Sequence, residues 1–229
     1  MFDFLKGEVL LIDKPIGWSS FDVVNRIRWQ LKKSLGVKKI KVGHAGTLDP
    51  LASGLLIICT GKKTKEIESF MGQVKTYTGS ILIGKTTPSY DLETEFNATY
   101  PIDHITEELI CEVCDKFIGI QEQLPPIFSA KKINGKRAYE LAREGREITL
   151  KSNSIEIFEF KTASQNFPYL EFEIKCSKGT YIRSIAHDFG IALNSGACLT
   201  NLCRTKSGEF NLVDAKSVDE WISIIQAIN

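Results

Sequence analysis

The stretch Val42 to Leu55, VGHAGTLDPLASGL, is too heavily punctuated to continue as a regular element. Gly43, Gly46 and Gly54 permit tight turns and close backbone approach to a ligand. Pro50 fixes its own φ and biases Asp49 toward extended geometry, away from a helix interior. The chain must therefore form a shaped loop here, and loops of this kind carry functional groups more often than regular elements do. Lys38, Lys39 and Lys41 lie just upstream. Two readings of Asp49 stand on pattern alone. One is a nucleophile or general base presented to an anionic substrate. The other is an aspartate that caps the turn before Pro50.

Charge is unevenly distributed. The chain of 229 residues has a net charge of only +1. Yet Arg26 to Leu48 holds seven Lys/Arg and no Asp/Glu, and Leu124 to Ser152 holds seven basic and three acidic residues. Asp91 to Glu122 holds nine acidic residues and one basic. Such asymmetry is expected when one face tracks a phosphate backbone, although solvated helix faces of opposite sign give the same count. The apolar runs, Leu55 to Cys59 and Ile222 to Ile228, are too short or interrupted to span a bilayer, and the N-terminus is broken by Asp3, Lys6, Glu8 and Asp13. The expected compartment is the cytoplasm. Six cysteines fit a reducing environment. Cys111 and Cys114 form one CxxC with no second pair, so two small residues on the core face of a helix are expected rather than a metal site.

Periodicity gives a coarse map. Strands are expected at Glu8 to Ile12, Leu55 to Thr60, Lys75 to Gly84, Ile155 to Thr162 and Tyr169 to Cys176. A helix capped by Ser19 or Ser20 runs until Gly36, and Val23, Ile27, Leu31 and Leu35 repeat along it. Further helices are expected at Thr64 to Gly72, from Thr106 to about Ile118, at Thr180 to Leu193 and at Ser217 to Ala227. Pro125 and Pro126 open a segment with a turn at Ile133 to Lys136 and a short helix near Ala138 to Glu144, which reads as an insertion. Strands and helices mix without strict alternation, so the fold class is α+β with a mixed, largely antiparallel sheet.

Five blocks, in order along the chain, resemble the motifs of the TruB family of tRNA pseudouridine synthases. GEVLLIDKPIGWSS (Gly7 to Ser20) resembles its N-terminal motif, and VGHAGTLDPLASGL its active-site motif. KTYTGSILIGKTTPSYD (Lys75 to Asp91) resembles its second motif, and LPPIFSAKKINGKRAYELAREG (Leu124 to Gly145) its RNA-gripping insertion. CSKGTYIRSIAHDFG (Cys176 to Gly190) with LTNLCRTKSGEF (Leu199 to Phe210) resembles its C-terminal catalytic motif.

The resemblance implies the pseudouridine synthase fold. It also implies isomerisation of uridine 55 in the T arm of tRNA, with base flipping and neither cofactor nor metal. Asp49 matches the catalytic aspartate, and Arg183 the arginine that pairs with it. Tyr77 matches the tyrosine that stacks on the target base. Tyr181 and Leu202 match pocket positions, and His44 matches a residue set against the RNA where the base departs. Lys14, Lys131, Lys132 and Arg137 are the candidate phosphate contacts. The expected organisation is one catalytic domain over 1–229, monomeric, with an insertion at about 124–152 and without the C-terminal RNA-binding domain many relatives append. Two departures from the pattern stand out. Phe128 replaces a tyrosine, and Pro88 and Tyr90 occupy places usually held by small polar residues.

Two other classes of function compete. A non-catalytic RNA-binding or tRNA-folding protein would not need Asp49, Tyr77 and Arg183 together. A hydrolase using Asp49 with His44 lacks any nucleophile elbow.

Overall fold

The computed structural model describes residues 2–128, 132–133, 136–137 and 150–227. The chain divides into two compact units, one of residues 1–78 and 202–229 and one of residues 79–201. Two strands, β4 (Lys75–Ile83) and β12 (Ala197–Ser207), continue from one unit into the other.

In the first unit the strand order is β13 (Lys216–Ser217), β1 (Val9–Lys14), β3 (Ala52–Thr60), then β12. β1 and β3 are antiparallel, whereas β12 pairs β3 in parallel with Leu202 opposite Ala52 and Arg204 opposite Gly54. The short β2 (Val42–His44) lies on the other edge of β3. That parallel pairing starts β3 at Ala52, three residues before the expected start. α1 (Ser20–Ser34) begins at a capping box in which Ser19 and Asp22 satisfy each other's backbone donors. It buries Val23, Val24, Ile27 and Leu31, and packs on β2 and on α5 (Val218–Gln226). Trp221 of α5 donates its indole N–H to the Leu11 carbonyl at 2.8 Å. The expected helix after Thr64 is a 3₁₀ turn (Gly61–Glu66) followed by the short α2 (Ile67–Met71).

In the second unit the order is β4, β11 (Tyr169–Cys176), β10 (Asn153–Asn166) and β7 (Gly119–Gln123). β10 is antiparallel to both of its neighbours and extends four residues beyond the expected end. α3 (Glu107–Lys116) packs on β10, as well as on α4 (Ile182–Ala192). Phe117, Phe160 and Phe189 meet at centroid separations of 5.3–6.0 Å in this core. A small antiparallel pair joins β5 (Lys85–Thr86) to β6 (Ala98–Thr99). β8 (Lys132–Ile133) and β9 (Lys136–Arg137) form a second antiparallel pair, and residues 134 and 135 of the turn expected at Ile133 to Lys136 fall outside the described residues. The short helix expected near Ala138 to Glu144 falls outside the described residues. The fold class is α+β, as the sequence indicates.

One expectation about α3 needs correction. Cys114 is buried but Cys111 is exposed, because the buried positions of this short helix are Ile110, Val113 and Cys114. Among the described residues no group of three metal-ligating side chains occurs.

Candidate active-site residues

Asp49 lies half-buried in the irregular loop between β2 and β3. Several backbone features fix that loop. The Ala52 N–H donates to the Asp49 carbonyl at 3.1 Å, which closes the turn over Pro50. The buried Ser20 hydroxyl exchanges hydrogen bonds with Leu48, accepting from its N–H at 2.8 Å and donating to its carbonyl at 3.1 Å. The Gly17 N–H reaches the Pro50 carbonyl at 2.8 Å. Gly54 is required for a steric reason. Its φ is +97°, and a Cβ there would stand 2.5 Å from the Arg204 carbonyl oxygen.

Two buried cations belong to the same unit. Arg204 is 1% exposed, and its Nε donates to the Leu55 carbonyl at 2.7 Å and its NH2 to the Gly46 carbonyl at 3.1 Å. It thus ties β3 to the Asp49 loop. Lys14 is completely buried, and its Nζ donates to the carbonyls of Pro15 at 2.9 Å and Trp18 at 2.6 Å. Burial lowers its pKa to about 8; the negative charge of Asp49 opposes that shift and the positive charge of Arg204 adds to it. Lys14 was expected to contact phosphate. The structure corrects this, because the ammonium points inward at two carbonyls and has no exposed surface.

His44 ends β2 half-buried, with Nδ1 buried and without a partner among the described residues. Burial first, and Arg204 second, hold its pKa below the usual histidine value, so the ring is neutral at pH 7. Tyr77 is buried in β4, and Leu202 is buried in β12 opposite Ala52, three residues after Asp49. Asp49, His44, Tyr77 and Leu202 all belong to the first unit, with Lys14 and Arg204.

Tyr181 and Arg183 belong to the second unit. Tyr181 is the N-cap residue of α4 and has no side-chain cap bond. The buried Gln123 side chain holds its backbone instead, accepting from the Tyr181 N–H at 2.8 Å and donating to its carbonyl at 3.0 Å. Ser184 donates to the Leu124 carbonyl at 2.8 Å and further fixes this helix start. Arg183, 4% exposed, places NH1 3.5 Å from an Asp91 carboxylate oxygen and 3.3 Å from the Ser89 carbonyl. Lys132 and Arg137 are cross-strand partners between β8 and β9, with side chains outside the described residues, as is the whole of Lys131.

Sequence reasoning did not single out Arg204 or Gln123. A signal for Arg204 was available. Leu202 and Arg204 lie two apart on a strand and so face the same way.

In its fold the chain resembles one chain of a solved Cbf5-Nop10-Gar1 complex, with a TM-score of 0.71 and 27% identity over 96% of this chain and 54% of that one. It spans about half the length of that larger chain. Two curated relatives are matched over almost their full length. The tRNA pseudouridine synthase B of Phocaeicola vulgatus is 55% identical over 96% of this chain and 95% of its own. The protein of the same name from Parabacteroides distasonis is 52% identical over 95% and 93%. Residues 32–182 match the TruB family pseudouridylate synthase (N terminal domain). The architecture is that of a pseudouridine synthase. The chain belongs to the TruB family.

Proposed function

We infer that this protein is a tRNA pseudouridine synthase that isomerises uridine 55 in the T arm. Identity of 55% along 95% of a relative named tRNA pseudouridine synthase B carries the reading. The reaction breaks the C1′–N1 glycosidic bond, turns the uracil and joins C1′ to C5; C5 loses its hydrogen as a proton and N1 takes a proton up. No electrons are gained or lost, so the chemistry calls for a placed carboxylate and a pocket that retains the detached base. Asp49 is that carboxylate. A nucleophilic carboxylate must stay ionised while partly buried, and neighbouring positive charge offsets the desolvation. Lys14 and Arg204 bring such charge to the unit that holds Asp49.

In this reading Arg183 takes the part of the family's arginine, Tyr77 stacks on the target base, and Tyr181 and Leu202 line the pocket. His44 stands against the RNA where the flipped base departs. Lys131, Lys132 and Arg137 contact phosphates, which fixes the RNA in register without reading its sequence. The enzyme acts as a monomer in the cytoplasm. Among the described residues no helix is long and apolar enough to cross a membrane.

The test is to map pseudouridine in bulk tRNA from a strain lacking the protein. The T-loop pseudouridine should vanish and return with the wild-type gene, but not with Asp49→Asn. Persistence of that pseudouridine in the deletion strain refutes the reading. Restoration by Asp49→Asn would mean that only RNA binding is needed.

A further inference from the structure

The turn that meets Arg183 holds an unusual residue. Tyr90 has φ of +64°, in the left-handed region that a bulky side chain rarely adopts. Its neighbours on either side are the two residues that contact Arg183, Ser89 through its carbonyl and Asp91 through its carboxylate. Strain of this kind persists only where the surroundings over-determine the conformation.

The surroundings are visible. The Tyr90 ring lies flat on the His187 imidazole, with centroids 3.9 Å apart and planes 9° from parallel. His187 is one helical turn beyond Arg183 on α4, so the stacking surface and the guanidinium share a helix face. The backbone is tied as well. The Tyr90 N–H donates to the Thr87 carbonyl at 3.2 Å, and its own carbonyl accepts from Leu199 at 2.9 Å. The hydroxyls of Thr87 and Ser89 both donate to the Asp91 carbonyl, at 2.6 and 3.1 Å. These bonds close the turn on itself. Among the contacts of the described residues, the Tyr90–His187 stack joins the turn to α4 at a second place beside Arg183. His187 Nδ1 is buried without a partner among the described residues, and burial keeps the ring neutral. The contact is therefore one of neutral rings, not of a cation on a ring.

We propose that Tyr90 is a positioning residue for this enzyme. By stacking on His187 it sets the Thr87–Asp91 turn so that Ser89 and Asp91 hold Arg183 in its working geometry. A guanidinium that orients a reacting carboxylate must be held to a fraction of an ångström, because small misplacements slow chemistry more than they weaken binding. The proposal rests on the reading of Arg183 given above. It adds that Tyr90, which stands where the family pattern has a small polar residue, acts as a pair with His187.

The experiment measures kcat, KM and the thermal midpoint on a full-length tRNA transcript. The variants are Tyr90→Phe, Tyr90→Asn, His187→Phe, His187→Ala, the double Asn/Ala variant and Arg183→Met. Asparagine tolerates the left-handed backbone, so Tyr90→Asn removes the ring with little backbone cost. Tyr90→Asn and His187→Ala should each lower kcat by roughly tenfold or more with KM within about threefold. The double variant should be no worse than either single one, since both remove the same contact. Tyr90→Phe and His187→Phe keep two stacked rings and should stay within about threefold of wild type in kcat. The proposal is overturned if Tyr90→Asn keeps near wild-type kcat, if Tyr90→Phe is as damaged as Tyr90→Asn, or if the loss of activity only follows the loss of folded protein. Arg183→Met separates the two claims. If that variant is active, the reading of Arg183 fails, and the proposal with it. If it is inactive while Tyr90→Asn is normal, the proposal alone fails.

Discussion

Arg204→Leu is the most informative single change in the first unit. The guanidinium is 1% exposed and donates to the Leu55 and Gly46 carbonyls at 2.7 and 3.1 Å. Leucine fills part of the volume but offers no donor. A buried acceptor left unpaired costs about 1–3 kcal/mol, so losing both bonds should cost about 4 kcal/mol. Against a typical folding stability of about 5–15 kcal/mol this is a large share. The assay is urea unfolding followed by tryptophan fluorescence. All three tryptophans, Trp18, Trp29 and Trp221, lie in the first unit, so the signal reports that unit. With a slope of about 2–3 kcal/mol per molar urea, the midpoint should fall by about 1.5 M at unchanged slope. Arg204→Lys keeps the charge but cannot span both carbonyls, and should fall between the two. A loss below about 1 kcal/mol in Arg204→Leu would refute the reasoning, because the two carbonyls would then have found other partners.

Three further outcomes are expected. Lys14 is protonated in both folded and unfolded chains below about pH 8, and between about 8 and 10.5 the unfolded chain binds the extra proton. The contribution of Lys14 to stability therefore rises with pH across that window, and the stability difference between wild type and Lys14→Met should grow from pH 7 to pH 10; a flat difference shows that its pKa is not lowered. Tyr77→Phe keeps the ring and should retain KM, so the fall in kcat measures any part the hydroxyl plays in removing the C5 proton, and full activity limits Tyr77 to stacking. Neutralising Lys131, Lys132 and Arg137 together should flatten the dependence of tRNA affinity on salt by about 2–3 in log–log slope, and an unchanged slope removes them from the RNA interface.

The Asp49 loop was legible because Gly43, Gly46, Pro50 and Gly54 leave few backbone options. Helix starts were legible for a similarly local reason, since Ser19 and Ser217 head capping boxes. What the sequence misjudged depends on contacts distant in the chain. Lys14 in Asp-Lys-Pro reads as a phosphate contact, yet the chain folds the Pro15 and Trp18 carbonyls around its ammonium. β3 starts early because β12, 150 residues away in sequence, pairs with it at Ala52. Gln123 is unremarkable in sequence and matters only because Tyr181 arrives beside it. The left-handed conformation of Tyr90 left no more trace than an aromatic residue where the family pattern has a small one.

Loss of the C5 hydrogen tests the role of Asp49 most directly. The purified protein is incubated with an unmodified tRNA transcript carrying tritium at C5 of its uridines, and released tritium is counted. Wild type should release close to one equivalent, from the T-loop uridine, and Asp49→Asn should release none while still binding the RNA. No release by wild type, or equal release by Asp49→Asn, would contradict the assignment of Asp49 as the reacting carboxylate of a tRNA pseudouridine synthase.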